Sequence, residues 1–196
     1  MPPVTQALIT VNVIVFLLEA AGGMAFFEWF ALWPPRTGPA FGPDFQIWQL
    51  LTYSFLHANV AHIFFNMFAL YLFGSDVERL FGSRFFLAFY FVSVLSAAIT
   101  HLVVTAWMGA PPYPTVGASG GVYGVLLAYG LYFPNRQLML LIPPIPMRAR
   151  TFVILFGLLA LVLGVTGTAA GVAHFAHLGG MLGGWLMIRH RRGWRR

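Results

Sequence analysis

Six apolar runs, at about 4–21, 59–74, 85–108, 119–133, 151–168 and 171–188, constrain this chain more than any motif in it, because all 11 arginines and all 13 prolines fall between or beyond them. A run of about 20 apolar residues spans a hydrocarbon core of roughly 30 Å as a helix. Within lipid, only helices and closed barrels satisfy every backbone polar group. With 59% hydrophobic and 8% charged residues, the 196-residue chain cannot fold as an ordinary water-soluble domain. The expected fold is all-α: one membrane bundle over residues 1–196, with no repeat and no separate soluble domain. The chain has no cysteine, which excludes disulfides, thiolate metal sites and a cysteine nucleophile.

The net charge of +6 does not point to nucleic acid, because the basic residues cap the apolar runs instead of lining one polar face. They read as topology signals. Ten of the arginines, from Arg79 and Arg84 through Arg136, Arg148 and Arg150 to Arg189, Arg191, Arg192, Arg195 and Arg196, follow the second, fourth and sixth runs, and Arg36 alone lies opposite. Both termini are therefore expected in the cytoplasm. Between the first two runs, Phe26, Phe27, Trp29, Phe30, Trp33, Phe45, Trp48, Tyr53 and Phe55 make the connection too aromatic for a solvated loop, and a segment lying in the membrane interface is expected.

Ionisable and polar groups inside spanning helices are functional candidates, because hydrocarbon offers them no partner. The second run carries His62 and Asn66, four apart and so on one helix face, with His57 just before it. The fourth opens on Thr115-Val116-Gly117-Ala118-Ser119-Gly120-Gly121, with Tyr123 one turn after Ser119. The sixth carries His174 and His177. Taken alone, Gly117 and Gly121 read as a small-residue packing pair between helices. Depth argues for more. Asn66, Ser119 and His177 lie 10, 17 and 12 residues before the next cytoplasmic charge. That is roughly 15 to 25 Å above the inner side. The three therefore share a level in the outer half of the membrane, where a water-filled recess is expected.

A serine hydroxyl becomes a nucleophile when a base takes its proton, and histidine is the suitable base. Ser119 and His177 are the expected pair. The Asn66 amide, the His62 ring and the Ser119 backbone N–H are the candidate donors to an oxyanion. None of the five acidic residues lies at that level on these helices, so a dyad without a carboxylate is expected, with Tyr123 stacked on His177. His174 either lines the recess or bonds a neighbouring helix. His101 is expected to be a packing histidine. A zinc site built from His57, His62, His174 and His177 is disfavoured, because neither H-E-x-x-H nor an accompanying carboxylate is present.

Three segments together resemble one family, the rhomboid intramembrane serine proteases in their minimal six-helix bacterial form: His57-Ala58-Asn59-Val60-Ala61-His62 with Asn66, Gly117-Ala118-Ser119-Gly120, and Ala176-His177-Leu178-Gly179-Gly180 with Gly183-Gly184. The resemblance covers the whole chain and implies a rhomboid-like six-transmembrane-helix bundle with a membrane-embedded first loop. It implies Ser119 as nucleophile, His177 as general base, and His62, Asn66 and the Ser119 amide as oxyanion site, with no metal and no cofactor. Partners would be the lipid bilayer and single-span membrane proteins cut near their outer end, after lateral entry past the fifth helix. Localisation in the bacterial inner membrane follows from the same resemblance. Gly180 and Gly184, or Gly179 and Gly183, would pack the sixth helix on the fourth. The family's usual Trp-Arg pair in the first loop reads Trp48-Gln49 here, so a less firmly anchored loop is expected. Inactive relatives that only bind membrane proteins lack the serine or the histidine, and both are present. A transporter should show polar groups reaching both faces, whereas these sit toward one.

Overall fold

Glu78 shows how a chain this apolar fixes its first helix. In a computed structural model, which describes residues 1–35, 43–109, 113–140, 144–166 and 173–193, helix α1 (Pro3–Phe30) begins against this buried carboxylate. Val4 N and Thr5 N donate to it at 3.0 and 2.7 Å, and the Thr5 and Ser83 hydroxyls at 2.7 Å each. A carboxylate at a helix N-terminus satisfies amides that have no intrahelical acceptor and complements the helix dipole. Thr5, Leu8 and Asn12 then turn one face of α1 inward. Gly23, at φ 59° and ψ −150°, kinks the helix, so residues 24–30 form a second helical segment that starts the aromatic connection.

That connection holds a short helix α2 (Gln49–Thr52) and a 3-10 turn (Tyr53–Phe55) that the sequence did not announce. Helix α3 (Val60–Ala69) is capped by Asn59, whose side chain accepts from His62 N at 2.9 Å. The expected end of this span at Gly74 is a correction. A π turn (Leu70–Gly74) passes without a break into α4 (Ser75–Phe81), and the helix stops only at Gly82, φ 79°. The charged residues did not end it because Asp76 and Arg79 pair on the surface at 3.0 Å while Glu78 is used inside. Helices α5 (Ser83–Trp107) and α6 (Ser119–Tyr132) lie close to the expected positions. The proline-bearing loop expected after α6 contains a two-stranded antiparallel ribbon, β1 (Gln137–Met139) with β2 (Pro146–Arg148). Helices α7 (Ala149–Thr166) and α8 (His174–Gly193) complete the chain. Expected features at Arg36, Pro111, Pro112, Pro143, 167–168, 171–172 and 194–196 lie outside the described residues.

Glycine sets the layout of the centre. On α8, a Cβ at Gly180 would collide with the Gly120 carbonyl of α6, and one at Gly184 would stand 3.1 Å from Gly124 Cα. Cβ atoms at Gly179 and Gly183 would stand 2.6 Å from Thr100 Cβ and Ser96 Cβ of α5. Both glycine pairs expected to pack α8 are thus used, one against α6 and the other against α5. The expected pair Gly117 and Gly121 does not make a seam. Gly117 precedes the helix, and Gly121 faces the Tyr90 ring of α5.

Around this centre the apolar surface points outward. Leu155, Leu158, Val162 and Val165 of α7 are exposed, while Val153 and Ala160 are buried. Among the described residues, four helical segments are long and apolar enough to cross a membrane: Pro3–Phe30, Val60–Phe81, Ser83–Trp107 and Ala149–Thr166. Helix α6 has 14 residues, about 21 Å of rise, less than a hydrocarbon core. At the end of the bundle bearing Asp76, Arg136 reaches that carboxylate at 3.0 Å, and Arg191 of α8 lies 4.7 Å from the Phe81 and Phe85 ring centroids.

Candidate active site

Gly117 makes the approach to α6 possible. Its φ of 125° is a conformation L side chains rarely adopt, and a Cβ there would stand 2.7 Å from both Cε1 and Nε2 of His62. The His62 imidazole therefore lies directly against the backbone that leads to Ser119. Two residues later α6 begins, and its first intrahelical bond runs from Val122 N to Ala118 O. The Ser119 amide is left without an intrahelical acceptor, at the positive end of the helix.

Across the glycine seam, His177 Nε2 is 2.9 Å from Ser119 Oγ. Tyr123, one turn after Ser119, stacks on the His177 ring at 4.1 Å between centroids and 3° between planes. This fixes the plane in which Nε2 points. On the other side of the ring, Nδ1 is buried and has no hydrogen-bond partner, so among the described residues no carboxylate stands behind the imidazole. His174 is buried, with its ring edge-on to His177 at 6.1 Å and its Nε2 unpartnered. It borders the base, and among the described residues no bond from it to a neighbouring helix is found. Chemically, this is a hydroxyl whose proton has one acceptor, on a ring held in place by stacking instead of by charge.

The second run is only partly gathered in. His62 reaches the site, and its ring meets His57 edge-on at 5.0 Å. Asn66 is buried on the same face, but its amide nitrogen donates to the His62 carbonyl at 3.1 Å. In this geometry it is turned along its own helix, and a rotation of the side chain is needed for it to donate to a bound oxyanion. No group of three or more His, Asp and Glu that could hold a metal ion occurs among the described residues.

Three partnerships around the site escaped sequence reasoning. Glu19 of α1 accepts the His57 backbone N–H at 3.1 Å. Tyr53 receives Gly117 N on its carbonyl at 2.9 Å and donates its own hydroxyl to Val94 O of α5 at 2.9 Å. His101 is bonded through Nε2 to the Thr115 hydroxyl at 2.9 Å. Each partnership links residues from different elements, and no local spacing encodes it.

Gln49, the departure from the expected Trp-Arg pair, is 1% exposed. Its Oε1 accepts from Trp33 N at 3.3 Å and Gln46 N at 3.2 Å, and its Nε2 donates to Trp29 O at 3.4 Å. Trp48 adds a bond from Nε1 to the same carbonyl at 3.1 Å. The anchoring that the departure put in doubt is present in this geometry, made by an acceptor where a guanidinium has only donors. Restoring the family residue is therefore expected to harm the protein. Gln49→Arg should lower unfolding stability by about 2 kcal/mol, since a buried N–H without an acceptor costs about 1–3 kcal/mol. Denaturation in detergent, beside Gln49→Leu as the variant lacking both functions, checks it.

A family model described as the Rhomboid domain matches residues 44–192. The chain belongs to the rhomboid family. This rhomboid is 30% identical over 187 residues to Rhomboid protease GluP of Bacillus subtilis, a match covering 94% of this chain and 34% of that protein. It is 30% identical over 159 residues to Rhomboid protease AarA of Providencia stuartii, covering 71% and 54% of the two chains. To Rhomboid protease GlpG of Pectobacterium atrosepticum it is 27% identical over 189 residues, covering 94% and 61%. The rhomboid thus spans about a third to three fifths of the length of these relatives. Family and apolar helices together make it a multi-pass membrane protein with an all-α bundle.

Proposed function

We propose that this rhomboid is an intramembrane serine endopeptidase that cleaves single-span membrane proteins near the outer face of the bilayer through a Ser119–His177 dyad. The observation that carries the reading is the 2.9 Å approach of His177 Nε2 to Ser119 Oγ beneath a stacked Tyr123. Ser119 attacks the scissile carbonyl while His177 takes its proton, then returns that proton to the leaving amine. The Ser119 amide, the His62 ring and the Asn66 side chain receive the oxyanion, with Gly117 holding the space for His62 and His174 bordering the base. The relatives' printed names, each a rhomboid protease, support this activity.

The reading includes six spans in one domain over residues 1–196, with α6 and α8 completing the four segments above, both termini cytoplasmic, and a bacterial inner-membrane location. The substrate helix enters past α7 and unwinds locally, because a helix buries its own carbonyls in hydrogen bonds; glycine or proline near the cut site favours this. A small residue precedes the scissile bond. No cofactor, metal or nucleic acid takes part.

The test is cleavage of a generic single-span reporter by the purified protein in liposomes, with labelling by a serine-directed fluorophosphonate. Cleavage and labelling that both disappear in Ser119→Ala support the dyad. A wild type that neither cleaves nor labels across several reporters overturns it. Within the same assay, Asn66→Ala should lower kcat by about 10- to 1000-fold, as for loss of one oxyanion donor. Unchanged turnover removes Asn66 from the site.

A further inference from the structure

His101 is the buried titratable group for which the chemistry above has no use. It is 2% exposed near the end of α5, its ring stands edge-on to Tyr113 at 5.6 Å, and its Nε2 is 2.9 Å from Thr115 Oγ1. Thr115 is itself buried. Its backbone makes both bonds of an isolated antiparallel bridge to Leu32, at 3.0 and 2.9 Å. Two residues on, Gly117 N is held by Tyr53 O.

A two-bond bridge fixes one line through a segment and leaves rotation about that line free. The Gly117 bond stops the segment from lifting off. The histidine supplies a third point, outside the line of the bridge, and carries it to α5, the helix against which α8 packs through Gly179 and Gly183. Threonine suits this because branching at Cβ leaves few rotamers, so holding its hydroxyl also holds its backbone. The segment pinned in this way places Gly117 against His62 and ends at Ser119.

We propose that His101 is a positioning residue for the reaction: through the Thr115 hydroxyl it sets the pose of residues 115–119, and so the alignment of Ser119 with both His177 and the His62 side of the site. It rests on the protease reading and adds to it. His101 has no hydrogen bond or ring contact with Ser119 or His177, and its hydrogen bond toward them runs through Thr115. A misplacement of about 1 Å in such a site costs about 100-fold in rate.

Thr115→Val keeps the branched shape and removes the hydroxyl, whereas Thr115→Ser keeps the hydroxyl. In liposomes, Thr115→Val is expected to lower kcat by about 10- to 100-fold at constant KM, with little change in thermal unfolding, and Thr115→Ser to retain most of the rate. His101→Leu should act likewise, and the double variant Thr115→Val/His101→Leu should be no slower than the worse single, because both remove one bond. A Thr115→Val protein with wild-type kcat overturns the proposal, as do losses that multiply in the double variant or follow a fall in thermal stability. Amide hydrogen exchange separates this from failure of the protease reading. Faster exchange confined to residues 115–119 in both single variants supports the tether whether or not the wild type cleaves, and unchanged exchange overturns it. A wild type that cleaves nothing overturns the protease reading, and the exchange result then stands alone.

Discussion

On the proposed reading, Ser119→Ala and His177→Ala should each bring peptide-bond cleavage down to background, a fall of about 10⁴-fold or more in kcat, while unfolding in detergent should stay within about 1 kcal/mol of wild type. The first part follows if Ser119 and His177 are the nucleophile and base proposed above, since Ser119 Oγ has its 2.9 Å contact with His177 Nε2. His174 is near, but its ring is edge-on to His177 and is not bonded to Ser119. The second part follows because neither side chain packs the glycine seam. Removing both residues should cost no more than removing one, since they act on the same proton. Reporter cleavage with fluorophosphonate labelling measures this. Turnover in His177→Ala above a tenth of wild type would mean that another group takes the proton.

Gly180→Val damages the protein more broadly. The Cβ that valine adds points at the Gly120 carbonyl, backbone that cannot rotate away. Relief requires α8 to move off α6, which separates His177 from Ser119 and opens the Gly184–Gly124 approach below. Overpacking a well-filled interior costs about 1–3 kcal/mol, and more when backbone meets side chain. The expected outcome is loss of activity by at least about 100-fold, with a fall in thermal stability. Gly157→Ala is the control, since its Cβ would meet only the flexible end of Met181 at 3.5 Å. Equal activity in both variants would show that the seam tolerates spreading.

Much of this was legible in the sequence because membrane helices write their constraints locally. The apolar runs gave α5 and α6 nearly to the residue, and the spacing of His62 from Asn66 put both on one face. The glycines of 179–184 predicted a close approach but not which partner each pair meets, since Ser96, Thr100 and Gly124 became neighbours only through packing. The end of the second span was misread at Gly74 because a glycine inside a helix is tolerated when its neighbours pack, and the π turn there leaves no local mark. The burial of Glu78 under the start of α1 and the bond between His101 and Thr115 join residues far apart or across a turn. No periodicity carries that information.

The vacant Nδ1 of His177 also has a consequence for how the protein is made. In soluble serine hydrolases a buried acid commonly orients the base, but an acidic side chain beside His177 would have to enter the bilayer with the helix that carries it, at a cost that reaches about 2.5–3.5 kcal/mol for a charge at the centre of an inserting span. Stacking by Tyr123 orients the ring with a residue that costs far less to insert. Biogenesis and chemistry are thereby reconciled: the newly synthesised helix carries imidazoles and glycines into the bilayer, and the orienting partner arrives on another helix when the two assemble.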